Sequence, residues 1–370
     1  MLKEEMLWYW FVNIPWVGRK TQKYLLDIYS SPSNLYQATH VEISRYIKNE
    51  KVLNSILDSK DEEKILKEYE VLSKRNIEFV HCNSENYPVS LKYIDDSPLG
   101  LYVKGKLPVG DQKSIAVIGS RNCTRYGREM AAYFGRELSL HGFHIVSGLA
   151  YGIDGAAHKA AIEAGGYTIG VLGCGIDWVY PKENYDLFIQ TEKHGCIVSE
   201  YNMGIPPKPG FFPERNRIIS GISDGILVVE AKEKSGTFIT VDYGLEQGKD
   251  IFAIPGRILD KNSVGCNNLI KFGAHVVTDV SDILDIYCMN VNKTDKLVDV
   301  MDVNHIVNKN LLAPTEKMVY SCLQIEPKYL DDIISEVKIA PQEICKALNQ
   351  LVLKGIIAET SRNYYAIKIV

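Results

Sequence analysis

The chain has 370 residues and a formal net charge of -4. This length is sufficient for about two or three domains with a large buried core. The negative net charge does not favour nucleic-acid binding, which depends on electrostatic attraction to phosphates. A local cluster of cations can nevertheless build a positive groove, so nucleic acid stays open as a ligand.

The eight cysteines are scattered along the chain and include no CxxC pair. No histidine lies at the spacing of a zinc site, so we expect reduced thiols in a reducing cytosol and no structural metal. The early apolar run at residues 7–12 is too short for a secretory signal or a membrane span. These features predict a cytoplasmic protein that has no membrane partner.

Residues 1–75 have helical periodicity and predict a helical domain. Two amphipathic stretches flank the tight turn "IPWVG" at residues 14–18, as in a helical hairpin. Further helices are predicted to begin at Ser33 and near Asp61, which are favourable N-cap residue types. Residues 76–113 combine prolines with short β-prone runs, and we expect an extended connector into the next domain.

Residues 114–287 alternate between apolar runs and amphipathic stretches. Seven apolar runs predict strands: "IAVIG", "FHIVS", "YTIGVLG", "CIVSE", "GILVVEA", "DIFAIPG" and "HVVTD". Helices are predicted between them at about 126–141, 155–164, 185–194, 214–222 and 237–247. Continuous Val- and Ile-rich strands separated by helices are typical of a parallel sheet that is covered on both faces. The sequence therefore predicts an α/β core.

The last part of the chain is predicted to be a separate domain. Residues 288–313 mix Asn, Asp and Lys without a sustained period and predict a linker. From residue 314 to residue 370, three predicted helices are followed by two short strand-like runs. This is the element order of a winged helix. Its presumed recognition helix, about 341–354, carries only Lys346 and Lys354 as cations, so we favour a protein-contact or accessory role over duplex reading.

The first turn of the core does not fit a dinucleotide cofactor. Such a cofactor needs G-x-G-x-x-G on this turn and an acid at the end of the second strand. Here the turn reads Gly119, Ser120 and Arg121, and the second strand ends in Ser147 and Gly148. We therefore expect a Rossmann-like core without a cofactor.

Ligands of such a sheet bind at the carboxyl ends of the strands, so the residues found there are the candidate site. They combine glycine and hydroxyl groups with several cations and two phenylalanines, and they include almost no general base. The candidates are Gly119, Ser120, Arg121, Ser147, Gly148, Lys182, Asn184, Lys208, Phe212, Arg215, Asn216, Arg217, Ser235, Gly236 and Thr237. Phosphate donors and stacking rings spread along one rim suit single-stranded nucleic acid.

Simpler interpretations of these residues stay open. Gly119 and Gly148 are also explained by tight turns alone, and "KSGTF" at 234–238 is equally well explained by helix capping. Arg121 could pair with a carboxylate such as Asp154. One of Phe211 and Phe212 is assigned to the core.

Seven ordered motifs resemble one family. They are "GSR" at 119–121, "SGLAYGID" at 147–154, "GCGIDWVYPKEN" at 173–184, "FPERNRIISGIS" at 212–223, "VVEAKEKSGTFIT" at 228–240, "IFAIPG" at 251–256 and "GCNNLIKFGA" at 265–274. Together they are similar to the DNA-processing protein A family, DprA or Smf. The resemblance implies an extended Rossmann-like core between a helical sterile-alpha-motif-like domain and, in many members, a winged-helix domain.

The resemblance also implies a role without catalysis. Members bind single-stranded DNA, protect incoming transforming DNA and load the recombinase RecA onto it, as dimers through the core. By the family pattern the strand is held by Arg121, Lys182, Lys208 and Phe212, and residues 215–217 complete the positive pocket. One departure is Trp16 in "IPWVG", which replaces the first glycine of a helix-hairpin-helix turn and argues against phosphate contact by that hairpin.

A second hypothesis is a nucleotide- or nucleotide-sugar-binding enzyme or sensor on the same scaffold. Such an enzyme needs a positioned base or nucleophile. The candidates Asp154, Asp177 and Glu230 have no histidine or metal partner at local spacing, although distant residues could supply one in space.

Overall fold

The structure is a computed structural model of the chain. It describes residues 2–108, 110–288, 312–323, 327–337 and 339–367. The chain divides into two compact units, Met1–Ile283 and Leu284–Val370. The predicted linker at 288–313 lies almost entirely outside the described residues. None of the described helices is long and apolar enough to span a bilayer.

The first unit begins with six helices. They are α1 (Glu4–Val12), α2 (Arg19–Tyr29), α3 (Pro32–Gln37), α4 (His40–Tyr46), α5 (Glu50–Asp58) and α6 (Glu62–Lys74). The predicted hairpin consists of α1 and α2. Asp61 caps α6 by accepting a hydrogen bond from the Lys64 N–H, which confirms the predicted start. The helix predicted at Ser33 begins at Pro32, with Ser31 as its cap.

A nine-stranded sheet follows these helices. Its strands are β1 (Glu78–His81), β2 (Gly100–Gly105), β3 (Ser114–Ile118), β4 (His144–Ser147), β5 (Thr168–Leu172), β6 (Gly195–Ser199), β7 (Gly225–Val228), β8 (Asp250–Ala253) and β9 (His275–Val276). Their order is β1-β2-β6-β5-β4-β3-β7-β8-β9. All seven predicted strands are present as β3 to β9, and every pairing among them is parallel. The predicted α/β class with a large parallel sheet is confirmed.

The segment expected as a connector instead adds two strands to the sheet. β1 pairs antiparallel with β2, and β2 pairs antiparallel with β6. The first four residues of β2 are buried, so this segment belongs to the core of the sheet. Its strands are short and lie among prolines, which explains why their sequence resembled a connector.

Eight helices accompany the strands of the sheet. They are α7 (Val89–Lys92), α8 (Arg125–Leu140), α9 (Ile153–Glu163), α10 (Tyr185–His194), α11 (Phe211–Ile222), α12 (Thr237–Glu246), α13 (Val264–Lys271) and α14 (Ser281–Leu284). All residues of β3, β5 and β6 are buried, as expected for strands covered on both faces. On one face Ile197 and Tyr102 share a cluster with α10 and the N-terminal helices. On the other face Val198 and Val103 pack with α11, α12 and α13.

The strand order reverses direction beside β3. From β3 the chain adds β4, β5 and β6 on one side, and then returns to add β7, β8 and β9 on the other side. The loops that follow β3 and β7 therefore diverge and leave a crevice between the carboxyl ends of these two strands. This crevice is the expected location of a ligand.

The described residues of the second unit form three helices and a small sheet. They are α15 (Pro314–Ser321), β10 (Lys328–Tyr329), α16 (Leu330–Val337), α17 (Pro341–Leu353), β11 (Ile357–Ser361) and β12 (Tyr364–Ile367). The strands pair antiparallel in the order β10-β12-β11. Val319, Ile333 and Leu348 belong to a separate core that includes all three helices. The identification of this unit as a winged helix, and the predicted domain boundaries, stay predictions.

Candidate nucleic-acid interface

A pocket of about 610 Å³ lies in the crevice between the carboxyl ends of β3 and β7. Its walls are formed by the turn after β3, the loop after β7, the start of α12 and the start of α11. The charged residues that line it are Arg121, Asp154, Arg215, Lys232 and Lys234. Four of these five carry positive charge, so the pocket is cationic although the whole chain is not.

The turn after β3 is tight because Gly119 within it and Gly152, which packs against it from the loop after β4, leave no room for a side chain. A Cβ atom on Gly119 would lie 2.7 Å from a side-chain carbon of Ile153 and 2.9 Å from the carbonyl oxygen of Glu230. The Ser120 N–H donates to that same carbonyl oxygen at 2.8 Å. Gly152, with a φ of +77°, has the Ser120 carbonyl oxygen 2.4 Å from where its Cβ would be. The turn therefore has one conformation, and it presents Arg121 to solvent at the mouth of the pocket.

A buried carboxylate connects this turn to the loop after β7. Glu230 is 2% exposed, and its carboxylate accepts hydrogen bonds from the Thr124 N–H at 2.8 Å and the Thr124 hydroxyl at 2.5 Å. Asn262 donates to Glu230 at 3.4 Å and to the Asn122 carbonyl oxygen at 3.1 Å. A Cβ on Gly127 would lie 2.3 Å from the Glu230 carboxyl carbon, so this glycine makes space for the carboxylate. The loops after β3, β7 and β8 are thereby held in fixed positions relative to one another.

Aromatic rings form the opposite side of the pocket. The Phe212 ring lies 5.5 Å from the guanidinium of Arg121 and 5.3 Å from the ring of Tyr180, at an interplanar angle of 35°. The adjacent Phe211 does not line the pocket. It stacks on Tyr201 at 4.3 Å, and Lys208 lies 5.5 Å from its ring. Phe212 is thus the phenylalanine that faces the pocket, and Phe211 packs on the protein.

The floor of the pocket contains a buried arginine. Arg215 is 5% exposed, and its guanidinium donates to the carbonyl oxygen of Val171. Burial lowers the pKa of Arg215 to about 10, and the nearby Asp154 opposes that shift. Burial raises the pKa of Asp154, against the effects of Arg215 and the Gly148 N–H, which donates to it at 3.1 Å. Arg215 therefore stays protonated at neutral pH, and the floor remains positive.

The start of α12 adds backbone and hydroxyl donors. Ser235, Gly236 and Thr237 line the pocket where this helix begins. The Ser235 hydroxyl oxygen accepts from the Thr237 N–H at 3.2 Å, and the Ser235 hydroxyl donates to the Thr237 hydroxyl oxygen at 2.9 Å. Capping and anion binding are compatible here, because a helix start has several unpaired N–H groups.

Residues 78–287 match the sequence profile of the family described as DNA recombination-mediator protein A. This range covers more than half of the chain and includes every loop around the pocket. The chain belongs to this family. The resemblance that the seven motifs predicted is confirmed.

Individual relatives of the recombination-mediator family match over long stretches. The DNA processing protein DprA of Bacillus subtilis (strain 168) is 41% identical over 213 residues, which cover 57% of this chain and 72% of that protein. An X-ray structure of DprA from Streptococcus pneumoniae has a TM-score of 0.67 and 34% identity, and the match covers 77% of this chain and 98% of that chain. DprA from Helicobacter pylori, in a structure that addresses its single-stranded DNA binding mode, has a TM-score of 0.51 and 28% identity over 57% of this chain and 95% of that chain.

In this member of the recombination-mediator family, the pocket brings together nine of the residues predicted as nucleic-acid contacts. They are Gly119, Ser120, Arg121, Phe212, Arg215, Asn216, Ser235, Gly236 and Thr237. Lys182 and Lys208 are exposed next to the rim, since Tyr180 and Pro209 beside them line the pocket.

Four predicted contacts are not presented to the pocket. Ser147 is fully buried and donates to the Val117 carbonyl oxygen at 2.7 Å, which links β4 to β3. Gly148 is buried under Arg215, whose guanidinium would lie 2.2 Å from a Cβ at that position. Asn184 donates to the carbonyl oxygens of Leu149 and Ala150 at 2.9 and 3.2 Å. These three residues hold the strand ends in place.

Arg217 is the fourth, and it departs most from the prediction. It is 2% exposed and donates to both carboxylate oxygens of Glu200 at 2.7 and 2.8 Å, and to Asp96 at 3.2 Å. Burial lowers its pKa, but the two carboxylates outweigh that effect and the net pKa is raised. Its charge is therefore neutralised within the fold, and it points away from the pocket that Arg215 lines.

Among the pocket-lining residues that are absent from the predicted contacts are Asn122, Tyr180, Lys232 and Lys234. Asn122 follows β3, and Lys232 and Lys234 follow β7, so the strand-end rule locates all three at the ligand edge although they are not among the predicted contacts. Both lysines are exposed. A single tyrosine in "YPKEN" at 180–184 gives no periodic signal, so the sequence does not distinguish Tyr180 from a structural residue.

The three acids considered for catalysis all have structural partners. Asp154 lies against Arg215, and Glu230 holds Thr124 and Asn262. Asp177 accepts from the Gly204 N–H at 2.9 Å. Across the described ranges there is no cluster of three His, Cys, Asp or Glu residues that could hold a metal ion.

Replacing Arg217 by alanine should destabilise the fold rather than remove a phosphate contact. The change removes the buried partner of Glu200 and Asp96, although Arg19 still lies 3.3 Å from both carboxylates. We therefore expect a loss of about 2 kcal/mol, less than the cost of leaving a buried charge without any partner. Urea denaturation at neutral pH should report this decrease in the free energy of unfolding. Arg128→Ala, at an exposed position on α8, is the matched control and should stay within about 0.5 kcal/mol of the unchanged protein. Unchanged stability of Arg217→Ala would contradict the structural role.

Proposed function

We propose that this protein binds single-stranded DNA in the pocket between β3 and β7, without sequence preference and without catalysis. The observation that carries the proposal is the composition of the pocket. Four cations surround an aromatic ring and the donors at the start of α12, and the one carboxylate that lines it, Asp154, is buried beside Arg215. Phosphates favour such cations and backbone donors, and bases favour such rings.

The arrangement suits a polymer better than a mononucleotide. Lys182 and Lys208 are exposed outside the pocket, next to different parts of its rim. One small ligand inside the pocket would leave them unused, whereas successive phosphates of a strand can reach all of these cations. The Helicobacter pylori relative, studied for its single-stranded DNA binding mode, supports the same ligand class.

The proposal of a non-catalytic role rests on the engagement of the acids. A general base must lie within hydrogen-bond reach of its substrate and be free to accept a proton. Asp154 and Glu230 are buried in hydrogen bonds that hold the pocket together. This arrangement favours binding over the alternative of a nucleotide-converting enzyme.

Replacing Arg121 by alanine tests the binding proposal. Loss of a charged contact to phosphate should weaken oligo-dT binding by about tenfold or more. The dependence of log K on log salt should become less steep by about 0.7, since one phosphate fewer is neutralised. Fluorescence anisotropy across a salt series measures both quantities.

Arg136→Ala is the control for this titration, because Arg136 is exposed on α8 and does not line the pocket. It should bind as the unchanged protein does. Undiminished affinity of Arg121→Ala would contradict the pocket as the DNA site. A salt-independent affinity of the unchanged protein would contradict phosphate binding altogether.

We further propose that the bound strand is protected and then passed to RecA during natural transformation, as the recombination-mediator family description suggests. The protein should shorten the delay before RecA assembles on single-stranded DNA that is already coated by a single-strand-binding protein. The RecA ATPase rate on such DNA reports assembly. Arg121→Ala should lose most of the effect, and an unchanged delay with the unsubstituted protein would overturn the proposal.

We also propose that the protein acts as a dimer through its core. The support is apolar exposure at one edge of the sheet, where Val276 in edge strand β9 is 45% exposed and the nearby Phe272 is 88% exposed. Sedimentation equilibrium should give twice the chain mass, and Phe272→Glu should lower the association constant. A monomer mass at micromolar concentration would contradict this proposal.

A further inference from the structure

Several exposed aromatic side chains follow the carboxyl ends of the strands near the pocket. Tyr126 follows β3, Tyr151 follows β4, and three more lie between β5 and the first residue of α10. These three are Trp178, Tyr180 and Tyr185. All five are 37–56% exposed, so their rings are available to solvent. Exposed rings at strand ends do not contribute fully to the core, and they offer flat surfaces to a ligand.

Two of these tyrosines continue the aromatic wall of the pocket. The Tyr180 ring lies 5.3 Å from Phe212 and lines the pocket. The Tyr151 hydroxyl donates to the Glu183 carboxylate, which holds the ring beside the turn at Lys182–Asn184. This turn comes directly after Tyr180 and Pro181 in the chain, and Ala150, next to Tyr151, lines the pocket. The Phe212–Tyr180 ring pair and the Tyr151 ring are therefore successive aromatic groups on one way out of the pocket.

A second cavity begins where these rings end. It has a volume of about 680 Å³ and lies between α9 and α10, and Ala150 lines both this cavity and the pocket. Tyr151 lines the second cavity but not the first. The second cavity contains Glu163, Glu183 and Asp186 against only Arg128 and Lys159. Three carboxylates against two cations make this cavity formally negative, whereas four cations against one carboxylate make the pocket positive, so phosphates are favoured in the pocket and not in the second cavity.

We propose that single-stranded DNA leaves the pocket across Tyr180 and Tyr151 and stacks one base on each ring, so that the DNA site ends at Tyr151. The proposal rests on the proposed function and defines the length of its binding site. Lys182, exposed in the turn next to both tyrosines, lies within reach of the phosphates along this path. The three carboxylates of the second cavity explain why the strand does not continue between α9 and α10.

The experiment compares oligo-dT of about four nucleotides, which fill the pocket, with oligo-dT of about eight nucleotides, which also cover the path. Tyr151→Ala should weaken binding of the longer strand about fivefold or more, as expected for one lost stacking contact. It should leave the shorter strand unaffected. Tyr151→Phe keeps the ring and should bind both strands as the unchanged protein does. The salt dependence should not change, because a tyrosine neutralises no phosphate.

Tyr93→Ala is the control, since Tyr93 is 83% exposed and lines neither cavity. Equal affinities of Tyr151→Ala and the unchanged protein for the longer strand would overturn the path. A loss that is the same for both strand lengths would also overturn it, because it would indicate a disturbed pocket. Failure of the unchanged protein to bind either strand would instead refute the proposed function, so the two failures are distinguishable.

Discussion

The candidate site depends on one buried carboxylate. Glu230 accepts hydrogen bonds from Thr124 and Asn262, and its main chain receives the Ser120 N–H. Through these bonds the turn that carries Arg121 and the loop that carries Lys232 and Lys234 keep a constant separation. Cations that line a groove repel one another, and flexible loops would move apart to relieve that repulsion. The buried Glu230 carboxylate behind the turn accepts hydrogen bonds from Thr124 and Asn262 and thereby fixes the loops against this repulsion.

The two arginines of the "RNR" triplet show how position on a helix determines what a charge does. Arg215 and Arg217 are both buried, yet they lie two residues apart on α11 and therefore point in different directions. Arg215 reaches the pocket floor, where Asp154 offsets only part of its charge. Arg217 meets two carboxylates and joins α11 to the end of β6. The "RNR" motif thus contains one arginine that lines the pocket, Arg215, and one arginine whose charge is neutralised by carboxylates of the protein, Arg217.

Much of this architecture could be predicted from the sequence, because buried parallel strands leave continuous apolar runs and strand ends identify the ligand edge. The same rules located Arg121, Phe212 and the start of α12. They could not separate Arg215 from Arg217, because that requires knowledge of which carboxylates fold against each side chain. They also could not show that Ser147 and Asn184 bond to backbone carbonyls. β1 and β2 were missed because strands of four and six residues among prolines show little periodicity.

The contacts of Phe212 have a consequence for the order of events at the pocket. In the free protein this ring already has two neighbours, the guanidinium of Arg121 and the phenol ring of Tyr180. A base that stacks on the part of Phe212 next to Arg121 competes with the guanidinium for that ring. If it displaces the guanidinium, Arg121 loses its cation–π contact and becomes free to fork onto the adjacent phosphate. The base would then replace the Arg121 guanidinium on the Phe212 ring in the same step in which that guanidinium neutralises a phosphate of the same strand.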